Sequence, residues 1–252
     1  MAISPVNSLD TKKDRQLKLK VAATSALGVG CAFAHIAKKQ GFKLSPKAIK
    51  DTPVKDWAIF RLYDKKNPLK KDIELEGPEI IEIASTSVAG GLAGGLLFDD
   101  KKHAKAKLKE SVNQLLGNVL VPIGCVWGIS KLYSNNKERI MKLVPQIEET
   151  GKKSHIFNKA LKCIPFSIAT LGALSTGIFA GNRVSNYINE KIFNKKVDRD
   201  VKVSDFAPHV DDIGVAVSLM ADKSKTSSFI QRTVPLFLCV PGYETGIHRE
   251  EN

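Results

Sequence analysis

The chain has 252 residues and a formal net charge of +13, so an anionic partner is expected. Its four cysteines form no C-x-x-C pair, and no nucleophile-elbow, P-loop or His-Glu-x-x-His motif occurs, so zinc, phosphate and hydrolase chemistry find no support. The lysines are spread between apolar runs instead of gathering with aromatic residues, so nucleic-acid binding is not expected. These observations favour a non-enzymatic protein without a cofactor.

The chain opens with a polar, basic segment over residues 1–20, which leads into a first apolar run over residues 21–37. Within this run Ala26, Gly30 and Ala34 recur every four residues. This spacing places small side chains in one line along a helix, where another helix can approach closely. The run is therefore predicted to be an apolar helix with a packing face.

A polar connection rich in lysine follows over residues 38–79. Inside it, the segment Val54–Tyr63 carries Trp57 and Phe60 at three-residue spacing, and Trp and Tyr favour the headgroup zone of a membrane. This pattern predicts an interfacial segment, and an ordinary packed loop is the equal alternative.

The second apolar run, Ile80–Phe98, is the most distinctive stretch of the sequence. It contains two overlapping small-residue repeats, Gly90-x-x-x-Gly94 and Gly91-x-x-x-Gly95. Glycine is unfavourable in soluble helices but allows close backbone approach in lipid, so the run predicts a tightly packed membrane helix.

A charged linker over residues 99–110 precedes the third apolar run, Leu115–Tyr133, so that residues 80–133 hold two apolar helices and their linker. Pro122 lies near the middle of this third run and removes one backbone donor. A kink is predicted there, with a neighbouring group satisfying the freed carbonyl. Residues 134–162 are predicted to be a polar helical linker.

The fourth apolar run covers residues 163–181, and within it Gly172, Thr176 and Ala180 repeat the four-residue spacing of a packing face, as do Ala169, Ala173 and Gly177. Pro165 is expected in the first turn of this helix, where a missing N–H costs little. A basic C-terminal region over residues 182–252 follows. Two apolar segments in it, 213–221 and 229–240, are too short for clean spans and are read as partial or interfacial.

These runs predict an all-α, polytopic helical membrane protein with about four spanning helices packed through Gly and Ala. The runs lack the polar and apolar faces of a surface helix, and each is close to the length that crosses a bilayer. The expected partner is the lipid bilayer, with basic loops near anionic headgroups, and the Gly/Ala faces also offer contacts for a homo-oligomer. Positive charges nearly balance on the two sides, so no orientation follows.

Three ionisable residues lie in or beside apolar segments: His35, Glu82 and Arg232. Charged groups are costly in lipid, so these are candidates for a proton or ion relay. His35 and Glu82 lie near the ends of their runs, where reaching the headgroups or capping a helix is the preferred interpretation, and Arg232 has the same ambiguity.

Two clusters of acidic residues with a histidine are candidates for binding a divalent cation, because carboxylates and an imidazole can share one helix face. The preferred interpretation is a solvated helix cap or a charge pair, because Asp beside Lys at a helix end is normally one of these. The candidate ligands are Asp99, Asp100 and His103 in the first cluster and His209, Asp211 and Asp212 in the second.

The preferred functional hypothesis is a component that packs or organises within a membrane without catalysing a reaction. A small transporter or channel-like protein is the first alternative. A soluble or peripheral helical domain that binds acidic partners is the second.

Overall fold

The structure is a computed structural model. It describes residues 8–41, 45–47, 77–148, 150–194, 196, 198–209 and 236–249. Every regular element among these residues is helical, which confirms the all-α prediction. The helices group into two compact units, unit 1 comprising Met1–Leu115 with Pro235–Asn252 and unit 2 comprising Leu116–Val234.

Unit 1 combines the two ends of the chain. Its elements are α1 (Ser8–Lys39), α2 (Gly77–Phe98), a 3-10 turn (Lys101–His103), α3 (Ala104–Val112) and α6 (Val240–Ile247). The predicted division between a basic segment and a helix at residue 21 is absent, because α1 begins at Ser8. Lys, Arg and Leu are good helix formers, and the burial of Leu17 and Val21 along one face continues the helix through the basic stretch.

Unit 2 is built on two long helices, α4 (Val121–Leu143) and α5 (Lys152–Phe193), followed by a 3-10 segment (Val203–His209). A π-helical segment, Asn113–Leu120, joins α3 to α4, so the chain is helical without a break from Ala104 to Leu143.

One boundary was misjudged from sequence. Pro165 was expected in the first turn of its helix, but α5 begins at Lys152 and Pro165 lies inside it. The polar residues before the apolar run are themselves helical, so the apolar run marks only the middle of α5. Composition located the apolar part of the helix and missed its ends.

Four helical stretches are long and apolar enough to cross a membrane: Lys12–Lys39, Gly77–Phe98, Lys101–Leu143 and Lys153–Phe193. Only 22% to 39% of each apolar window is buried inside the chain. The 42 residues of α5 correspond to about 63 Å, roughly twice the hydrocarbon thickness of a bilayer.

Several predicted features lie outside the described residues. These are the aromatic segment Val54–Tyr63, the apolar segment 213–221, most of 229–240, and the candidate residues Asp211, Asp212 and Arg232.

Candidate functional site

The first helix contact of unit 1 joins α1 and α2. A Cβ atom added at Gly90 would overlap the backbone carbonyl of Thr24, and one at Gly28 would overlap the carbonyl of Thr86. Gly94 faces the side chain of the same threonine, Thr24. The two helices therefore run antiparallel with their backbones in direct contact, which only glycine permits at these positions.

The second contact joins α2 to the C-terminal helix α6. A Cβ atom at Gly91 would overlap the carbonyl of Gly242, and Gly95 faces Gly246 in the same way. Gly242-x-x-x-Gly246 is therefore a third small-residue repeat, which the sequence reading missed although its spacing was visible. The two repeats of α2 serve different neighbours, so α2 is the central helix of unit 1.

The predicted packing stripe on α1 points outward in this chain. Ala26, Gly30 and Ala34 are exposed, and a Cβ at Gly30 would meet no atom within 4 Å. The buried face of α1 carries larger side chains, including Val29 and Ile36. Burying these apolar groups determines the rotation of the helix, so the small residues are left on the opposite side.

The predicted stripe on α5 is displaced in a similar way. Gly172 and Thr176 are exposed and Ala180 is half-buried. The contact between α5 and α4 instead uses Gly177, which lies against Pro122 and Cys125, and Gly181, which lies against the backbone of Gly117. Close packing through glycine occurs here, one residue further along the helix.

His35 and Glu82, which the sequence singled out separately, lie together. The Nδ1 atom of His35 is 2.6 Å from Oε1 of Glu82, across the contact between α1 and α2. The histidine side chain is 66% exposed and the glutamate side chain is 31% exposed, so the pair lies on the outer surface of unit 1.

At the other end of α2, Asp99 is the centre of an ion cluster. Its carboxylate is 3% exposed and accepts two hydrogen bonds from Arg249, of 2.7 and 2.9 Å. The Nζ atom of Lys107, whose side chain is fully buried, is 2.8 Å from the same carboxylate and also donates to the carbonyls of Gly246 and His248.

Two opposing effects act on the pKa of Asp99. Burial raises this pKa, but the hydrogen bonds from Arg249 and Lys107 and the nearby positive charge outweigh it and hold the pKa well below its usual range. Arg249 also bonds Asp14 of α1 at 2.9 Å, and its pKa is raised above its ordinary value mainly by the bond to Asp99. The cluster therefore connects α1, α2, α3 and the C-terminal segment.

The first predicted cation site overlaps this ion cluster. The ligand atoms of Asp99, Asp100 and His103 lie within 4.8 Å of one another. However, both oxygens of Asp99 already accept bonds from cationic side chains. This arrangement favours the charge-pair interpretation over a metal site.

A second buried carboxylate, Asp205, lies in unit 2. Arg199 donates to its two oxygens through two hydrogen bonds of 2.8 Å. The side-chain amide of Asn118 and the backbone N–H of Lys202 add bonds of 2.6 and 2.7 Å. Burial raises the pKa of Asp205, but the Arg199 bonds and the neutral donors outweigh it, so the pKa is lowered.

His209, the histidine of the second metal candidate, is buried against the π-helical segment. Its Nε2–H donates to the carbonyl of Asn118 at 2.8 Å. In an α-helix the donor to this carbonyl would be the N–H of residue 122, which is a proline. His209 therefore supplies a donor to the carbonyl that Pro122 would leave free in an α-helical register.

Sequence reasoning missed the residues that form both carboxylate clusters, apart from Asp99 itself. Lys107 was read as part of a solvated charged linker, whereas Arg249, Arg199 and Asp205 carried no local signal at all. Each pairs with groups far along the chain, so no pattern of local spacing marks it.

Comparisons of the chain with protein-family models, curated proteins and solved structures gave no match.

Proposed function

We propose that this protein is a multi-pass integral membrane protein with a non-enzymatic packing or organising role. The observation that carries the proposal is α2, four of whose glycines, Gly90, Gly91, Gly94 and Gly95, bring it against α1 and α6 on two sides. Contacts of this kind are typical of helix association in lipid, where no hydrophobic force draws helices together.

The outer surfaces of the long helices support the same proposal. Leu27 is 67% exposed, Leu97 is 73% exposed and Ile168 is 66% exposed, and each lies on one of the four apolar stretches. In water such surfaces are a liability, whereas hydrocarbon solvates them without cost. The bilayer, with anionic headgroups at the basic ends, is the proposed partner.

Fractionation tests integration. The full-length protein is expected to stay in the membrane pellet after alkaline carbonate and to be released by detergent. Release by carbonate alone, or a monodisperse preparation without detergent, would refute integration and favour the peripheral domain that binds acidic partners.

The organising role is proposed to use the exposed small-residue face of α1 as a contact between copies of the chain. Cys31, which is exposed on the same helix, provides a native probe of this contact. Oxidative cross-linking in membranes is expected to give a dimer that Cys31→Ser abolishes and that Ala34→Leu weakens. A dimer that persists in Cys31→Ser, or no dimer in the wild-type protein, would contradict this role.

A transporter or channel-like function is the second candidate, and the hydrogen bond between His35 and Glu82 is the observation that favours it. A histidine–carboxylate pair can pass a proton. If it acts as a relay, flux depends on both residues. Proton or solute flux into vesicles that depends on Glu82 would support this candidate. Equal flux in the wild-type protein, Glu82→Gln and His35→Ala would exclude the pair as a relay.

A further inference from the structure

Most of the exposed charge at the Asp99 end of unit 1 is basic. Three acidic side chains there already have partners, since Asp99 binds Arg249 and Lys107, Asp14 binds Arg249, and Glu110 accepts a bond from Gln114. The one acidic side chain left near the surface of the linker is Asp100, which lies 3.9 Å from Lys102.

Apart from the buried Lys107 and Lys109, the basic side chains at the same end include many exposed ones. The cations of the first part of α1 and of the turn after α2 are all exposed: Lys12, Lys13, Arg15, Lys18, Lys20, Lys101 and Lys102.

These cations cluster at one end of unit 1, here called the basic surface, because two contacts fix the ends of α1 and α2 beside each other. The Nζ atom of Lys20 lies 4.7 Å from the centre of the Phe98 ring. Arg249 bridges Asp14 of α1 and Asp99, the residue directly after α2. The basic part of α1 and the turn Lys101–His103 therefore lie at the same end of unit 1.

Exposed apolar side chains lie next to this basic surface. Leu19, Leu96, Leu97 and Phe98 are large apolar side chains that remain exposed beside the cations. Apolar groups next to outward-pointing lysines are the arrangement of a helix end at the boundary between acyl chains and headgroups.

We propose that this basic surface, formed by the seven cations above, binds the phosphate groups of anionic phospholipids in preference to zwitterionic ones. This inference rests on the proposed membrane integration. It deepens that proposal because it places the lipid selectivity at one end of one unit. In a cell the anionic leaflet faces the cytoplasm, so this end of α1 lies on the cytoplasmic side.

The test uses the full-length protein reconstituted in phosphatidylcholine vesicles with a trace of spin-labelled phosphatidylcholine or spin-labelled phosphatidylglycerol. Electron spin resonance measures the fraction of each lipid that is motionally restricted by the protein. A selectivity of several-fold for phosphatidylglycerol is expected, and it should fall as salt is raised, since phosphate–lysine attraction at a surface is screened.

A fourfold variant locates the site. Replacing Lys18, Lys20, Lys101 and Lys102 by Gln should bring the selectivity close to one, because each cation near the surface contributes to attraction. The matched control replaces four exposed cations of unit 2 by Gln, namely Lys137, Arg139, Lys142 and Lys153. This control variant should retain the selectivity.

The outcomes separate this inference from the proposed function. Restricted lipid without anionic preference, or equal losses in both variants, would overturn the inference and leave integration intact. Absence of any restricted lipid, with release by carbonate, would overturn integration itself. Loss of selectivity on adding inorganic phosphate, but not chloride at equal ionic strength, would mean that a soluble phosphate is the ligand.

Discussion

The two units hold a buried carboxylate by different means. In unit 1, Asp99 faces two cations, Arg249 and Lys107, whereas in unit 2 Asp205 faces one cation, Arg199, and two neutral donors. A buried charge is costly without a partner, so each carboxylate must be satisfied where it lies. The difference predicts that unit 1 loses more stability when its carboxylate is removed, because the fully buried Lys107 then has no carboxylate, while Arg249 keeps only Asp14.

Native cysteines allow the two units to be followed separately. Cys239 lies in unit 1 and Cys163 in unit 2, and both are half-buried. In a background with Cys31→Ser and Cys125→Ser, the denaturant dependence of thiol labelling at each site reports the stability of each unit.

The largest effect is expected from Asp99→Ala, which leaves the fully buried Lys107 without its carboxylate. We expect a loss of about 5 kcal/mol, measured at Cys239, because breaking a buried pair leaves an uncompensated charge. The matched change in unit 2, Asp205→Ala, should cost about 3 kcal/mol at Cys163.

A double variant checks the cause of this loss. Adding Lys107→Met to Asp99→Ala should recover part of the stability, since an apolar side chain of similar size replaces the unpaired charge. No recovery, or an equal cost of the two single changes, would contradict the proposed difference between the units.

The glycine contact of unit 1 should show the next largest effect. Gly91→Ala places a methyl group in overlap with the backbone carbonyl of Gly242. Backbone atoms can move aside less easily than side chains, so the clash is not readily relieved. We expect a loss of about 3 kcal/mol at Cys239. Gly30→Ala is the control, because a Cβ there meets no atom within 4 Å, and it should be neutral or slightly stabilising.

Acid should weaken unit 1 through Asp99. The pKa of this carboxyl is lowered on folding from its ordinary value of 3.8, so its stabilising effect is present above that pH and is lost as the pH falls below it. The wild-type protein should take up about one more proton on unfolding than Asp99→Asn in that range. Equal pH slopes of the unfolding free energy for the two proteins, measured at Cys239, would contradict this assignment.

The smallest effect concerns the carbonyl of Asn118 in unit 2. His209→Ala removes its donor and should cost about 1 kcal/mol at Cys163. In a Pro122→Ala background the N–H of residue 122 is restored, so the same histidine change should cost less. An unchanged cost in the double-mutant cycle would show that His209 and Pro122 are not coupled.

Much of the fold could be predicted from sequence because it follows from local patterns. Apolar runs of sufficient length located the four long helices, and the glycine spacing of α2 identified its central place in packing. The freed carbonyl near Pro122 was also foreseeable, since a missing N–H is a property of the residue itself. The ends of the helices were harder to predict, because polar residues continue α1 and α5 beyond their apolar parts.

The residues of the candidate site were less predictable. Ala26 and Gly30 of α1 have the same small-residue spacing as the glycines of α2, yet they point outward. Spacing defines a line along a helix but not the direction in which that line faces, which depends on where the larger side chains are buried.

The sequence by itself determined an all-α chain with four apolar helices and a glycine-rich one among them, because periodicity, run length and the lack of a side chain in glycine are local properties. Only the tertiary structure decided that Gly242 and Gly246 meet α2, and that Asp99, Lys107 and Arg249 share one buried cluster. Those contacts join the two ends of the chain, and their geometry depends on how whole helices pack. The same packing buried Lys107 beside Asp99 and left the cations of the first part of α1 exposed, a difference that the sequence alone does not show.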